Sequence, residues 1–199
     1  YYPNSPYSSS KASADLFIQA WNRTYGINYV ILHPTNNYGP RQFPEKLIPL
    51  MIINAINKKK LPIYGNGKQV REWIFVEDTV DAIFKCLEQK DISGHFNLGS
   101  GERYTNLQIV KKICFILSDL LDDNNYKYSD LLMFTKDRPG HDKKYSVNSN
   151  LARCKLQWKA KVNINDGLMK TIMWYINNRD WWNKIIRKKY DGRRLGLIK

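Results

Sequence analysis

The stretch SPYSSSKASADLFIQAWNRTYGINYVIL, residues 5–32, decides the fold class, because a helical pattern in it leads directly into a strand. From residue 10 to residue 25 apolar side chains recur at helical spacing, and Gly26 is placed to end the helix. Residues 29–32 (YVIL) then form a short apolar run, which is typical of a buried strand. A helix that leads into a buried strand is the unit from which α/β folds are built.

The same alternation continues to residue 177 and predicts an α/β domain. Helices are expected at about 47–57, from Glu77 or Asp78 onward, from Thr105 onward and at 164–177; strands are expected at 61–64, 70–75, 95–98 and 131–135. Residues 34–49 are rich in Pro, Gly and charged positions and predict a long loop. The turn Gly65-Asn66-Gly67 between two strands predicts an antiparallel hairpin. Two of the helices should bury an apolar stripe: Val80, Ile83, Phe84 and Leu87 on one, and Val110, Ile113, Cys114 and Leu117 on the other.

Tyr7 and Lys11 stand four residues apart at the start of the first helix, so their side chains share one face. A neighbouring ammonium favours the phenolate form of a tyrosine, and a phenolate can take a proton from a hydroxyl group. The same spacing also occurs between two unrelated surface residues on a helix, so both interpretations stay open at this point.

Charge and composition narrow the class of partner. The net charge of +14 is typical of nucleic-acid-binding proteins, but the lysine pairs and triplets lie far apart in the sequence. We therefore expect no nucleic-acid partner, with a polyanion-binding protein as an alternative that steep salt dependence on duplex DNA would reveal. No apolar run is long enough to span a membrane, and no charged segment followed by an apolar stretch begins the sequence, so we expect no signal peptide.

The three cysteines bear on the compartment and on metals. Cys86, Cys114 and Cys154 are odd in number, and two of them fall on apolar helix positions. We expect them to be reduced core residues in a cytoplasmic protein, and no metal-binding spacing of Cys and His is present.

Seven blocks carry a resemblance to a known family. They resemble the extended short-chain dehydrogenase/reductases, and within these the nucleoside-diphosphate-glucose 4,6-dehydratases of the dTDP-glucose type. The blocks occur in the family's order: Ser5-Pro6-Tyr7-Ser8-Ser9-Ser10-Lys11-Ala12-Ser13-Ala14-Asp15, Asn36-Asn37-Tyr38-Gly39-Pro40, Phe43-Pro44-Glu45-Lys46-Leu47-Ile48-Pro49, Leu61-Pro62-Ile63-Tyr64-Gly65-Asn66-Gly67, Val70-Arg71-Glu72-Trp73, Val76-Glu77-Asp78 and Asp137-Arg138-Pro139-Gly140-His141-Asp142.

The resemblance covers nearly the whole chain but only the second half of a family member. It implies the C-terminal part of an NAD-binding Rossmann-like fold plus a smaller α/β substrate-binding domain. Residues 1–35 would end the NAD-binding domain, and residues 36–199 would form mainly the nucleotide-sugar domain, with some segments returning to the core. The family's glycine-rich NAD turn would precede residue 1. Residues 96–101 (FNLGSG) lack its third glycine, so we expect an ordinary turn there and poor NAD binding by this chain alone.

The resemblance also implies residue roles. Tyr7 would be the catalytic base, and Lys11 would stabilise its phenolate and bind the nicotinamide ribose. Asn37 would contact the cofactor near the nicotinamide, unless Asn36 and Asn37 are left-handed turn residues before Gly39. The nucleotide-sugar contacts would be Asn36, Lys46, Leu47, Pro62, Ile63, Tyr64, Arg71, Asn106, Asp137, Arg138, Pro139, Gly140 and His141. Arg71 and Arg138 are expected on the diphosphate, because a guanidinium matches phosphate oxygens bidentately; the alternative for each is a solvated surface charge.

The implied reaction is a redox-neutral dehydration of a nucleoside-diphosphate-glucose, most simply dTDP-glucose. It comprises oxidation at C4, loss of water across C5–C6 and reduction at C6, with NAD regenerated. Alternatives are a UDP-glucose 4,6-dehydratase, an epimerase or decarboxylase of the same family, and a catalytically inactive nucleotide-sugar binding module. The family's use of the Tyr–Lys helix at subunit contacts implies a homodimer, in which Leu16 and Trp21 would contact the partner or fill the core.

Overall fold

The computed structural model describes residues 2–121, 126–137 and 142–188. The helices in these ranges are α1 (Pro6–Tyr25), α2 (Leu47–Ile56), α3 (Val76–Glu88), α4 (Asn106–Leu120), α5 (Asn150–Lys155), α6 (Ile164–Asn177) and α7 (Arg179–Lys188), with a 3₁₀ turn at Tyr128–Leu131. The strands are β1 (Val30–Pro34), β2 (Asn36–Tyr38), β3 (Leu61–Tyr64), β4 (Val70–Phe75), β5 (Gly94–Leu98), β6 (Arg103–Thr105), β7 (Leu132–Thr135) and β8 (Lys144–Tyr145). The α/β class is confirmed.

The strands pair mostly in parallel and over long sequence distances. β1 pairs with β5, and β3 pairs with β7, both in parallel. β4 is the central strand of the largest sheet: its second half pairs in parallel with β2, and its first half lies between β6, which is antiparallel, and β8, which is parallel. Parallel pairs need long crossover connections, and helices such as α3 and α4 supply them here.

Two apolar clusters hold these elements together. The larger cluster packs α2, α4 and α6 against β3 and β4, with Ile52, Leu61, Ile113, Leu168 and Ile172 fully or almost fully buried. The smaller cluster lies under β4 and β5 and includes Ile74, Phe96 and Trp158. The expected stripe of α4 is buried as predicted, and Thr105 caps this helix in a reciprocal capping box with Gln108.

Sequence patterns were accurate for isolated helices and wrong for one strand pairing. α6 spans the expected residues, and α1 ends at Gly26, which has the left-handed φ of 66°. α1 begins earlier than expected, at Pro6, because the side chain of Ser5 caps it. The predicted hairpin is wrong: β3 and β4 are strands, but β3 pairs with β7, and β4 pairs with β2, β6 and β8.

Two further expectations need correction. Residues 34–49 are not all loop, because Asn36–Tyr38 forms β2 against β4. The apolar stripe of α3 (Val80, Ile83, Phe84 and Leu87) is exposed rather than buried, with 42–74% of each residue accessible. α3 instead buries Asp78 and Ala82. Asp78 does not cap its own helix; its carboxylate accepts hydrogen bonds from the backbone N–H groups of Lys161 and Val162.

The cysteines differ in burial. All three are free, but only Cys114 is buried and Cys154 is exposed, so the expectation that they are core residues is wrong for Cys154. Across residues 2–121, 126–137 and 142–188, no helix combines the length and apolar character needed to cross a membrane.

Candidate functional site

Tyr7 and Lys11 lie together on the first two turns of α1. The Lys11 Nζ lies 5.8 Å from the centroid of the Tyr7 ring, so the expected shared face is confirmed. The turn that presents Tyr7 is fixed locally, because Ser5 Oγ accepts from the Ser8 amide and Ser10 Oγ donates to the Tyr7 carbonyl at 2.8 Å. Tyr7 is 72% exposed, so its hydroxyl is open to a ligand within the described chain.

Asn36 and Asn37 are strand residues rather than turn residues. Both belong to β2, opposite Trp73 and Ile74 of β4, and neither has a positive φ, so the alternative interpretation as left-handed turn residues is wrong. The Asn37 amide is oriented by its neighbours: Thr79 Oγ1 donates to Asn37 Oδ1 at 2.6 Å, and Asn37 Nδ2 donates to the Thr35 carbonyl at 3.4 Å. The Asn37 side chain is thus held in one orientation by a residue of α3.

Arg71 is buried in β4 with only 7% of the residue exposed, so a solvated surface charge is excluded for it. One terminal nitrogen of its guanidinium donates to the Val70 carbonyl and the other to the Asp142 carbonyl, both at 2.8 Å. Arg71 therefore fixes residue 142, and a guanidinium is the group that binds anions bidentately.

The segment after β7 is tied to the same strand. Gln69 Nε2 donates to Asp137 Oδ2 at 2.8 Å, and the Gln69 carbonyl accepts from the Asn106 amide at 3.1 Å. Asp137 and Asp142 flank the predicted substrate loop and are therefore held by Gln69 and Arg71, two residues apart on the chain. Arg138, Pro139, Gly140 and His141, all predicted substrate contacts, lie outside the described residues.

Three predicted substrate contacts lie at helix starts. α2 begins at Leu47 with Lys46 as its N-cap, and no side chain caps its first turn. Lys46 is exposed and lies 3.7 Å from Glu45. Asn106 is the first residue of α4. Backbone N–H groups at helix starts favour anions, which is compatible with the predicted roles of these residues.

The three predicted substrate contacts on β3 lie on two opposite faces of the strand. Pro62 and Tyr64 are half-buried, whereas the side chain of Ile63 is 1% exposed and belongs to the core. A ligand can therefore meet Ile63 through its backbone only. The role of this strand as a wall against the base stays a prediction.

In the stretch 96–101, the first three residues end β5 and residues 99–101 form an ordinary turn, as predicted. β5 leads through Gly99 and Gly101 into β6 rather than into a helix, and the buried Glu72 carboxylate accepts from the Gly101 amide at 2.8 Å. A second oxygen of Glu72 accepts from the Val147 amide at 3.2 Å. An acidic side chain in this position would repel a pyrophosphate.

Tyr145 was not singled out from the sequence, although it follows the Asp137–Asp142 block closely. It lies opposite Arg71 in the pairing of β8 with β4. Its pKa is raised, first by burial and then by the charges of Asp142, Glu72 and Tyr7. Because Tyr145 and Arg71 are paired directly across two strands, their side chains point to the same side of the sheet. No periodicity in the sequence signals this pairing.

Comparison with known proteins gives a consistent result. The family model described as GDP-mannose 4,6 dehydratase matches residues 1–171. A probable dTDP-glucose 4,6-dehydratase of Sinorhizobium fredii is 45% identical over 198 residues, which is 100% of this chain and 56% of the relative. The chain thus spans about half the length of the curated relatives it matches.

Solved structures agree in fold. The dTDP-glucose 4,6-dehydratase of Bacillus anthracis, determined in complex with NAD, superposes with a TM-score of 0.83 at 38% identity and covers 92% of this chain and 56% of that one. UDP-glucose 4-epimerase of Thermotoga maritima, determined with UDP-glucose, gives 0.81 at 28% identity and covers 89% of this chain and 55% of that one. The fold is therefore shared by dehydratases and epimerases, while the identity is higher to the dehydratase.

Proposed function

This chain belongs to the GDP-mannose 4,6-dehydratase family, and from that premise we propose that it carries the Tyr–Lys pair and the nucleotide-sugar site of an NAD-dependent dTDP-glucose 4,6-dehydratase. The product would be the 4-keto-6-deoxy sugar nucleotide. The choice of dTDP-glucose rests on the name of the Sinorhizobium relative and on the higher identity to the Bacillus dehydratase than to the Thermotoga epimerase.

The residues present fit the nicotinamide end of NAD. Tyr7 and Lys11 share an exposed face on α1, and Asn37 is held in one orientation by Thr79. When bound, NAD would accept the C4 hydrogen as hydride and return it at C6. The described residues offer no Gly-rich turn for the pyrophosphate. In the turn after β5, the Gly101 amide already donates to the Glu72 carboxylate.

Protein groups would manage the protons and the phosphates. Tyr7 would take the proton from the sugar 4-hydroxyl, and Lys11 would stabilise the phenolate and hold the nicotinamide ribose. Oxidation at C4 makes the C5 proton acidic, which allows water to leave across C5–C6. Arg71 would hold the diphosphate, with Asn36, Lys46, Leu47, Pro62, Ile63, Tyr64, Asn106, Asp137, Arg138, Pro139, Gly140 and His141 around the nucleotide and sugar.

The observation that carries this proposal is the Tyr7–Lys11 pair at the start of α1, in a chain that matches a probable dTDP-glucose 4,6-dehydratase along its whole length. Arg71, which is buried in β4 and donates to the Asp142 carbonyl, would supply the cation that the diphosphate requires.

We further propose the domain division at residue 35. β1 pairs with β5, so residues 94–98 return to the strand that follows α1, as expected for segments that rejoin the NAD-binding core. Within the described residues the other edge of β1 pairs with no strand, and no residue of α1 is fully buried. These surfaces suit the completion of a larger sheet.

A cytoplasmic homodimer is the assembly we propose. Leu16 and Trp21 on α1 are 54% and 58% exposed, which suits a subunit contact better than a role in filling the core of the described chain. The three free cysteines are compatible with a reducing compartment. The mass of the intact protein in solution would test the dimer, and a monomeric mass would refute it.

The function is tested by incubating the complete gene product with NAD and dTDP-glucose and following the 4-keto product. We expect Tyr7→Phe to lower kcat by about 10²–10⁴-fold with little change in KM, because the general base is lost while the binding groups remain. Tyr25→Phe, at the other end of α1 and also exposed, is the matched control and should retain activity. Full activity of Tyr7→Phe, or no 4-keto product from the parent protein, would refute the proposal.

A further inference from the structure

Three residues that the proposed reaction does not use meet between α1 and the sheet of β1 and β5. They are Asp15 on α1, one turn after Lys11, His33 on β1 and His95 on β5. His95 lies opposite Ile31, and His33 lies opposite Asn97. Residues 31 and 33 point to the same face of β1, so the two histidines are diagonal neighbours on one face of the sheet.

Their ligand atoms are close together. His33 Nε2 lies 3.1 Å from His95 Nδ1 and 3.8 Å from Asp15 Oδ2, and all three atoms are within 4.8 Å of one another. The side chains of His33 and Asp15 are 30% and 16% exposed, so water reaches one side of the group. Such partial burial orders the side chains and leaves room for a small ligand.

The two imidazole rings meet edge to edge. Their planes differ by 7° and their centroids are 5.4 Å apart, which is too far for face-to-face stacking. With a nitrogen–nitrogen distance of 3.1 Å, the rings share one N–H···N hydrogen bond. When the donor ring carries its proton on its other nitrogen instead, both facing nitrogens present lone pairs, and a cation can bind between two neutral rings.

The chemistry of this group suits a transition cation. Two imidazoles and one carboxylate form a ligand set that binds zinc and its neighbours in the first transition row. With bonds of about 2.0–2.1 Å to a tetrahedral ion, neighbouring ligand atoms lie about 3.3 Å apart. The distances of 3.1 and 3.8 Å bracket this value. Rotation about the Cβ–Cγ bond of a histidine is soft, so the rings can turn towards a common ion at low cost.

We propose that Asp15, His33 and His95 form a binding site for a divalent transition cation of the zinc type, with water as a further ligand. The site is structural: it would fasten α1, the helix that carries Tyr7 and Lys11, to the β1–β5 sheet. Such a fastening matters because no residue of α1 is fully buried within the described residues. The expectation that the chain has no metal site came from short-range spacing, whereas these ligands are 18 and 62 positions apart.

The test uses Co²⁺ as the probe and does not depend on catalytic activity. The complete gene product, free of nucleotide, is titrated in a Cys154→Ser background, because Cys154 is an exposed thiol that could bind the probe. We expect one Co²⁺ per chain with the visible absorption of a low-coordinate nitrogen and oxygen site. Asp15→Asn, His33→Phe and His95→Gln should each weaken binding by at least about tenfold, since even outer partners of a metal site change affinity by that much.

Asp91→Asn is the matched control, because Asp91 is exposed in the turn before β5 and lies outside the group. It should keep the affinity of the parent, and Zn²⁺ should raise the melting temperature of the parent and of this control but not of the three ligand variants. The absence of a saturable Co²⁺ spectrum in the parent would overturn the proposal. Equal Co²⁺ affinity in the parent and the folded ligand variants would overturn it as well, because the ion would then bind elsewhere.

Discussion

The variant Arg71→Lys tests whether the paired donors of the Arg71 guanidinium matter beyond its positive charge. Lysine keeps the charge but offers a single nitrogen in place of the two that donate to the Val70 and Asp142 carbonyls at 2.8 Å. In the proposed site the Arg71 guanidinium binds the diphosphate of the substrate. The variant should therefore lose nucleotide affinity while the net charge of the protein is unchanged.

The size of the effect follows from the number of charged hydrogen bonds that are lost. A hydrogen bond to a charged group contributes about 1.5–3 kcal/mol, and one lost bond to phosphate should weaken binding of dTDP by roughly 10–100-fold. Loss of the bond to Asp142 also loosens the segment that follows the predicted substrate loop. We expect the free energy of unfolding to fall by about 1–2 kcal/mol, because the carbonyl of residue 142 is left without its donor.

The assay is calorimetric titration of the complete gene product with dTDP and, separately, with NAD. The dTDP affinity should fall in Arg71→Lys, whereas NAD affinity should stay within about twofold. Arg103→Lys is the control: it lies on the neighbouring strand β6, is half-exposed and is 3.9 Å from Glu72. Unchanged dTDP affinity in Arg71→Lys, or an equal loss in Arg103→Lys, would refute the assignment of Arg71 to the diphosphate.

Three other substitutions test the positions around the site. Thr79→Val removes the donor to Asn37 Oδ1 at near-constant side-chain volume. We expect kcat to fall by about tenfold with the melting temperature unchanged. Normal turnover would contradict the role of Thr79 in positioning Asn37. Asp78→Asn replaces one of two acceptors for backbone amides with a donor and should lower the free energy of unfolding by about 2–4 kcal/mol in urea. Burial raises the pKa of the Cys114 thiol to about 11 in the folded protein. The same thiol loses its proton at lower pH in the unfolded chain, so the free energy of unfolding should fall between about pH 8.5 and 11. Cys114→Ala should lack this part of the pH dependence, and an identical profile would refute it.

Local signals explain the accurate part of the sequence predictions. α4 follows from the Thr105–Gln108 capping box and from apolar spacing, and the end of α1 follows from Gly26, whose left-handed backbone stops a helix. These features involve residues within one or two turns of each other. The shared face of Tyr7 and Lys11 is predictable for the same reason.

Strand pairing was not predictable, because it depends on residues far apart in the chain. The glycines at 65 and 67 signalled a turn correctly, but a turn does not determine which strands pair. β3 found its partner about 70 residues later, in β7. β2 was missed because Asn36-Asn37-Tyr38 has no apolar alternation, and only the ladder offered by β4 makes it a strand.

The burial of individual side chains also could not be predicted from the sequence. The stripe on α3 was recognised as apolar, but periodicity shows only that a face exists and not what covers it. The same uncertainty applied to Arg71, because the sequence alone is compatible with either a phosphate ligand or a solvated surface charge. The structure gives a buried guanidinium that donates to two backbone carbonyls.

β4 aligns several of the predicted site residues. Its first half pairs with β6 and β8 and its second half with β2, so Tyr145 lies opposite Arg71 and Asn36 lies opposite Trp73. Residues 71 and 73 point to the same face of the strand, so Asn36 lies on the Arg71 face, whereas Asn37 lies on the other.

Glu72 also points away from the Arg71 face. It is buried and binds the Gly101 and Val147 amides, which joins the turn before β6 to the segment after β8. The alignment of Arg71 with Asn36 in the proposed site is therefore a property of this strand more than of any single loop.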